Sequence, residues 1–397
     1  MSPLGTISQL FSQPGTSGVG LEISDTSVKI ASLRINRSRF AVSGVGGAPL
    51  ELGTVVKGKI KDRERLGQAL RLAASSAQPT PVALQSLIFA VPEYLVYTYS
   101  FFLTRQAFED TVKSKKLETL IRNAAERYIP IGSKDLLITH RITRRRDQTV
   151  QIFVVGTERS ALLEWDAFFK SIGIVSVIFD IPAFATFRVL FAESQKNGAC
   201  IIDIGDTVTT VFLFNADGLV HSYLLVRGGE TITTALMSKL SISHNDAEEI
   251  KRIVGLSDPA HAAYPILVEQ VQPILADVAR TLLFFQKNSG LSIPEAISIG
   301  GTSVMPGYAE YASSAVGIPV RIGGIPHESD AKAGGIDGYM QVIGMAMRAL
   351  DKRWERTDPA FTSAQLIVKE DEHSEGAAST ETPESTFVRL RKQIFKI

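Results

Sequence analysis

The stretch LEISDTSVKI, Leu21 to Ile30, recurs as IDIGDTVTTV, Ile202 to Val211. Superposed, Glu22 falls on Asp203, Ile23 on Ile204, Ser24 on Gly205, Asp25–Thr26 on Asp206–Thr207 and Ile30 on Val211. Each copy reads as a strand, a short polar turn and a second strand. An acid two residues ahead of a glycine suits such a turn to phosphate chemistry. Glycine lets the backbone approach a bulky anion, and successive N–H groups of a turn form an anion-binding nest. The carboxylate offers a hard oxygen to Mg2+, usually through water. Hydroxyls at Thr207, Thr209 and Thr210 add donors. Any antiparallel hairpin can contain Asp-x-Gly, and a single copy is an ordinary turn. Two copies, with a third Gly-Gly turn at Gly300–Gly301, point to a duplicated clamp on the β- and γ-phosphates of a nucleotide.

Working outward, each copy opens a β-meander followed by helices. The first runs through VGLEIS, SVKIASLRI and FAVSGVG into the amphipathic helix DRERLGQALRLAASS and the buried strand SLIFAVP. The second runs through ACIIDIGDTVTTVFLFNADGLVHSYLLVRGG into a series of helices. Between them lie a helix ending in AAERYI, the strands DLLITHRI and TVQIFVVG, and the helix SALLEWDAFFKSIG. The expected plan is α/β, with two similar lobes and an inserted α/β subdomain at residues 86–171 in the first. The first lobe covers 18–85 and is completed by about 172–195 and 336–352; the second covers 196–335. Residues 1–17 read as a flexible N-terminus, and 357–386 as a disordered linker.

Composition narrows the class. The chain has 397 residues, 45% of them hydrophobic and 21% charged, and a formal net charge of +1, which gives no general pull toward nucleic acid. The lone Cys200 excludes an internal disulfide and fits a reducing compartment. The longest apolar run, SLIFAVPEYLVYTYSFFL, is broken by Pro92 and Glu93, and the N-terminus lacks the basic start of a signal peptide. A cytoplasmic protein is expected. The tail Phe387–Ile397 puts Phe387, Leu390, Ile394 and Ile397 on one helical face and Arg389, Lys392 and Lys396 on another. It reads equally as a weak membrane-surface or partner helix and as an unstructured end.

These residues carry a family resemblance. GLEISDTSVK and DIGDTVTT resemble the first and second phosphate motifs of the actin-like ATPases, ISIGGTSVMPG resembles their adenosine motif, and AEEIKRIVG resembles their purine-flanking helix. AAERYIPIGSKDLLITHRI, VRGGETITTAL and VIGMAMRAL resemble the PilM family of type IV pilus assembly proteins, from about Val19 to Leu350. The resemblance implies an actin-like two-lobe fold binding ATP and Mg2+. It assigns Glu22, Ser24, Lys29, Asp203, Gly205, Asp206, Thr207 and Thr209 to the phosphates, with Gly228 and Gly229 beside them. Gly300, Gly301 and Ser303 fall on the adenosine turn, Glu248 and Lys251 on the purine, and Asp203 and Glu22 on Mg2+ through water. It further implies a groove for a short N-terminal peptide of a PilN-like membrane protein, and links to pilus motor ATPases.

The chain also departs from the pattern. Glu22 and Ser24 stand where the family has Asp and Gly, and Pro182 in DIPAF stands where it has the glutamate that tends to orient water. That leaves Asp180 and Asp203 as candidates to position a nucleophile. Phosphoryl transfer depends on positioning and charge stabilisation, so these losses damage hydrolysis more than binding. The expected protein is a nucleotide-binding scaffold with slow or absent turnover. The alternatives are an FtsA-like, membrane-tethered, filament-forming division protein, or an active ATPase or kinase of the same superfamily.

Overall fold

The computed structural model describes residues 17–36, 39–144, 148–191, 198–215, 218–289, 292–324 and 336–367. The chain begins with β1 (Gly18–Ile23), β2 (Ser27–Asn36), β3 (Arg39–Pro49), the short pair β4 (Val55–Val56) and β5 (Lys59–Ile60), and α1 (Arg63–Ser75). Then come β6 (Gln78–Pro79), β7 (Ser86–Ala90), β8 (Tyr97–Thr104), α2 (Arg105–Lys113), α3 (Leu117–Tyr128), β9 (Leu136–Arg144), β10 (Thr149–Glu158) and α4 (Arg159–Ser171). β11 (Ser176–Asp180) and α5 (Pro182–Leu190) lead to the second copy: β12 (Ala199–Ile204), β13 (Thr209–Asn215), β14 (Gly218–Leu225), α6 (Gly229–Leu240), α7 (His244–Ile253) and α8 (Tyr264–Ser289). The chain continues through β15 (Ala296–Ile299), α9 (Tyr308–Val316), β16 (Val320–Ile322), α10 (Met340–Leu350), α11 (Lys352–Thr357), β17 (Ala360–Thr362) and α12 (Ser363–Ile367).

The first lobe is built on a seven-stranded sheet ordered β17-β11-β7-β1-β2-β3-β6. β1 pairs antiparallel with β2 and parallel with β7, and β7 pairs parallel with β11. The C-terminal ends of β1, β7 and β11 therefore lie along one edge, where ligands of such sheets bind. α10 lies directly on β1. A Cβ added at Gly20 would sit 1.9 Å from the carbonyl oxygen of Val342, so the close approach requires glycine there. Behind β7 the core is aromatic, with Trp165 and Phe169 packed on Phe89 at centroid distances of 4.8 and 5.0 Å.

The second lobe repeats the plan in a five-stranded sheet ordered β14-β13-β12-β15-β16, with β12, β15 and β16 parallel. α8 buries Leu267, Val271, Leu275, Val278 and Leu282 beneath it, spaced at one helical face. The inserted subdomain is a three-stranded sheet ordered β8-β10-β9, with Phe108, Ile121 and Ala125 of α2 and α3 packed on Val150, Ile152 and Val154 of β10. It also meets the second lobe, where the Ser100 hydroxyl donates to the Val220 carbonyl at 3.0 Å.

Two boundaries are corrected. The insert read as 86–171 is shorter at both ends, because β7 joins the first-lobe sheet between β1 and β11, and Trp165 and Phe169 of α4 pack into the first-lobe core. The stretch read as linker from residue 357 opens with β17, which pairs antiparallel with β11 and completes the first-lobe sheet, followed by α12. Phe361 is fully buried there and Asp358 accepts from the buried Arg188, so apolar burial and an ion pair hold these residues despite the polar sequence that follows. Residues 1–16, 368–386 and the tail Phe387–Ile397 lie outside the described residues.

Candidate functional site

The two copies of the repeat face each other across a cleft with about 900 Å3 of empty volume, open solvent included. In each, the register sets the chemistry. Glu22 pairs with Lys29 across β1 and β2, and Asp203 pairs with Thr210 across β12 and β13. Cross-strand partners share a sheet face, and all four residues line the cleft. The turns between the strands close alike. Ser24 N–H donates to the Ser27 carbonyl and Gly205 N–H donates to the Val208 carbonyl, each at 2.9 Å.

They differ in what fills them. The Ser24 hydroxyl accepts from the N–H groups of Thr26 at 3.2 Å and Ser27 at 3.0 Å, so the donors of the first turn are engaged by its own side chain. Gly205 has no side chain to do this. Crowding by a serine Cβ is not the difference, because neither Ser24 nor Gly205 has a positive φ. The jaws also touch: Thr26 donates its hydroxyl hydrogen bond to the Asp206 carboxylate, and Gln341 Nε2 donates to Asp203 Oδ2 at 2.7 Å.

Acidic groups dominate the lining, with Glu22, Asp25, Glu93, Asp203 and Asp206 around Lys29, the single cation there among the described residues. Lys29 Nζ lies 3.7 Å from Glu22 Oε1, and this carboxylate holds the ammonium above its ordinary pKa against the cost of burial. Burial and then the charge of Glu22 push Asp203 up to about 6. Burial and then Asp203 and Glu22 push Glu93 up to about 7. Among the described residues no three His, Cys, Asp or Glu side chains stand close enough to hold a metal directly. Carboxylates crowded with so little positive charge fit the chemistry of a hydrated divalent cation.

Several residues assigned to ligand contact also brace the second turn. Gly229 and Glu230 N–H donate to the carbonyls of Gly205 and Asp206 at 2.9 and 2.8 Å, docking the start of α6 under the turn. A Cβ at Gly228 would sit 2.5 Å from both those carbonyl oxygens. Lys251 is buried and donates to the Gly229 carbonyl at 3.2 Å, to Thr233 Oγ1 at 2.9 Å and to Glu248 Oε1 at 2.7 Å. Burial opposes ionisation of Glu248, but the bonds from Lys251 and Thr233 hold its carboxyl below the usual range. Gly300 lines the cleft at φ 90°, where a Cβ would lie 2.2 Å from the Ile204 carbonyl oxygen; Gly301 lines it too, and Ser303 Oγ donates to the Gly300 carbonyl at 2.7 Å. Thr207 lines the cleft beside Asp206.

Two assignments are corrected. Thr209 is fully buried and its hydroxyl donates to the Arg227 carbonyl at 2.8 Å; strand alternation turns Thr210 to the cleft instead. Asp180 is fully buried away from the cleft, so it positions no nucleophile. It accepts from Arg188 at 2.6 and 3.1 Å and from Arg348 at 3.1 Å, while Arg188 Nε donates to Asp358 at 2.8 Å. Burial opposes its charge, but the two guanidiniums hold its carboxyl below the ordinary value.

Sequence reading missed Glu93, Tyr94 and Gln341. Glu93 and Tyr94 lie in the short 3-10 turn after β7, and Tyr94 lines the cleft together with Thr207. Glu93 appeared only as an interruption of an apolar run, although a carboxylate just past the end of a parallel strand is itself a site signal. Gln341 lies in the first turn of a helix that is then apolar up to Arg348 in its last turn, where a lone amide was the available clue.

Two meander-and-helix lobes closing on one cleft, with a subdomain inserted in the first, make this an actin-like ATPase fold. Within that class, the family of the type IV pilus assembly protein PilM matches residues 20–348, and the chain belongs to it. The structure titled PilM-PilN type IV pilus biogenesis complex is similar at TM-score 0.69 and 20% identity, covering 85% of this chain and 100% of that one. MreB5 of Spiroplasma citri bound to AMPPNP is similar at TM-score 0.52 and 13% identity, covering 87% and 98%. The cell division protein FtsA of Enterococcus hirae is 22% identical over 77% of each chain. FtsA of Pseudomonas aeruginosa is 24% identical over 43% of this chain, which spans 46% of that relative's length. Among the described residues no helix is long and apolar enough to cross a membrane.

Proposed function

We propose that this protein is a nucleotide-binding scaffold of the type IV pilus inner-membrane assembly platform. It binds ATP with Mg2+ between the lobes, and the bound state fixes the lobe angle. Turnover is slow or absent. The observation carrying this reading is the duplicated strand-turn-strand, β1–β2 and β12–β13, whose two turns line one cleft. Lys29, the N–H groups of the second turn and the Gly300–Gly301 turn supply the contacts to phosphate and nucleoside. Asp203 and Glu22 hold the metal's water shell, and the metal neutralises phosphate charge that one lysine cannot.

The neighbouring PilM-PilN complex supports a partner of the same kind, a short N-terminal peptide of a PilN-like membrane protein taken by the inserted subdomain and the first lobe. The protein then sits in the cytoplasm at the inner membrane through that partner, in contact with pilus motor ATPases and platform proteins. The tail Phe387–Ile397 gives a further peripheral membrane contact. The test is calorimetric titration with MgATP of the parent and of Asp203→Ala, followed by phosphate release on the same samples. Binding by the parent, lost in the variant, with little phosphate released, supports the scaffold. Steady release makes it a working ATPase, and no binding by the parent removes the nucleotide from the reading.

A further inference from the structure

We propose that Glu93 and Gln341 hold the attacking water of this cleft, in place of the family glutamate that Pro182 has displaced. The inference rests on the nucleotide reading above and adds the residues that set whatever turnover occurs.

Four observations converge. Glu93 follows the C-terminal end of β7, next to the end of β1 that carries the first turn, and lines the cleft between the two turns. It also lines a second cavity of about 380 Å3, whose wall includes Pro182 and Thr210. A carboxylate from the neighbouring strand end therefore faces the space beside the position where the family keeps its own. Gln341 Nε2 donates to Asp203 and lies 3.5 Å from Glu93 Oε1, which ties the pair to the second turn. Gln341 is only 7% exposed, and its Oε1 is buried with no hydrogen-bond partner among the described residues, although it borders the cleft.

A buried amide oxygen left without a donor carries an uncompensated desolvation cost. A water donating one hydrogen to Gln341 Oε1 and the other to Glu93 removes that cost and satisfies both acceptors. With both hydrogens taken, its lone pairs are free for an electrophile between the turns. Other groups are less suited. Asp180 is spent on Arg188 and Arg348, and Asp203 takes the Gln341 amide and would hold the water shell of a bound Mg2+. Gln341 is held in place because α10 lies on β1 at the Gly20 contact.

In the step, the water oxygen bonds to the γ-phosphorus. The bond from γ-phosphorus to the β,γ-bridging oxygen breaks, and its electron pair leaves with the nucleoside diphosphate. One water proton passes to the Glu93 carboxylate and is later released to solvent.

The experiment is phosphate release from saturating MgATP by the parent, Glu93→Gln, Gln341→Leu and Glu93→Asp, with MgATP binding measured by calorimetry. Melting of each variant with MgADP checks that it is folded. The expected result is that turnover falls on the order of 100-fold in Glu93→Gln. It falls at least about tenfold in Gln341→Leu, whose lost acceptor orients rather than takes the proton. KM and affinity stay within about threefold for Glu93→Gln, and Glu93→Asp recovers part of the rate, a pattern that lost stability alone does not produce. Turnover in Glu93→Gln equal to the parent overturns the pair. So does a parent that binds MgATP and releases no phosphate, which leaves the scaffold reading intact. A parent that does not bind MgATP overturns the nucleotide reading, and the pair with it.

Discussion

The first turn, around Ser24, and the second, around Gly205, share a backbone down to the hydrogen bond that closes each at 2.9 Å. They do not share an environment. The first pairs its acid with a lysine and the second pairs its acid with a threonine. The first is tied outward: Asp25 accepts from the N–H groups of Lys57 at 2.9 Å and Gly58 at 3.3 Å in the β4–β5 hairpin. That hairpin is tied in turn to α4 behind β7, where Trp165 Nε1 donates to the Gly58 carbonyl at 3.0 Å, and to the inserted subdomain, where Lys59 pairs with Glu158 at 2.8 Å. The second turn is tied downward, onto the start of α6. Duplication has kept one turn geometry in both copies while their surroundings divide. One copy keeps open N–H donors, and the other carries the cation and the mechanical link to the subdomain expected to take a partner.

The largest expected effect tests whether the two turns stand on independent supports. Asp180 anchors Arg188 and Arg348 inside the first lobe, although the helix carrying Arg188 also reaches the second sheet, where Phe187 stacks on Phe214 at a centroid distance of 4.3 Å. Asp180→Ala strands two buried guanidiniums and should cost about 3–5 kcal/mol. Urea unfolding should then split, with the first lobe melting before the second. The pH dependence follows from the direction of the shift. Asp180 titrates below its ordinary value in the folded protein, so its contribution is complete above the ordinary carboxylate range and is lost as pH falls through the lower, folded value. Asp180→Asn should flatten that acid limb. A single cooperative transition in Asp180→Ala would mean the lobes do not unfold separately.

Next in size is conversion of the second turn into the first. Gly205 has no positive φ, and an added Cβ would meet only the Val208 carbonyl oxygen at 3.2 Å, so Gly205→Ser should fold. Its hydroxyl would engage the local N–H donors as Ser24 does. Hydrogen bonds to a charged group are each worth roughly 1.5–3 kcal/mol, so MgATP affinity by calorimetry should fall about tenfold to a hundredfold. Unchanged affinity would show that the second turn's N–H groups do not carry the phosphate.

The repeat, the two-lobe plan and the actin-like fold were legible because strand patterning and turn chemistry are local properties of the chain. That Asp203, Lys29 and Gly300 line one cleft was legible for the same reason. The division between Thr209 and Thr210 was not, since both carry the same hydroxyl and only register decides which faces the cleft. Asp180 was misread because its partners Arg188, Arg348 and Asp358 come from elements brought together only by folding. β17 was hidden because three residues at a sheet edge leave too little periodicity to see. Glu93 and Gln341 belong to the cleft only through tertiary placement, one after a buried strand and the other in a mostly apolar helix.

The reverse exchange should give a smaller effect of opposite sign. Ser24→Gly frees the N–H groups of Thr26 and Ser27 that the hydroxyl now engages. Against that gain stands the flexibility of glycine, roughly 0.5–1 kcal/mol. MgATP affinity should rise only about threefold to tenfold by calorimetry. A loss of affinity would mean that the Ser24 hydroxyl itself faces the ligand, and the first turn would be a specialised donor rather than a filled one.

The smallest effect concerns the contact between the turns. Thr26→Val keeps the shape of the side chain and removes the hydroxyl that bonds Asp206 across the cleft. The bond is exposed, so its loss should cost about 0.5–1.5 kcal/mol of lobe closure and leave the fold intact. It should appear as a larger radius of gyration in small-angle scattering of the nucleotide-free protein, with MgATP affinity changed about twofold or less. The second bridge, from Gln341 to Asp203, remains in that variant and is the more buried of the two. If Thr26→Val leaves the scattering unchanged while Gln341→Leu opens the molecule, closure belongs to the second turn alone, and the first serves only to report the bound state to the inserted subdomain.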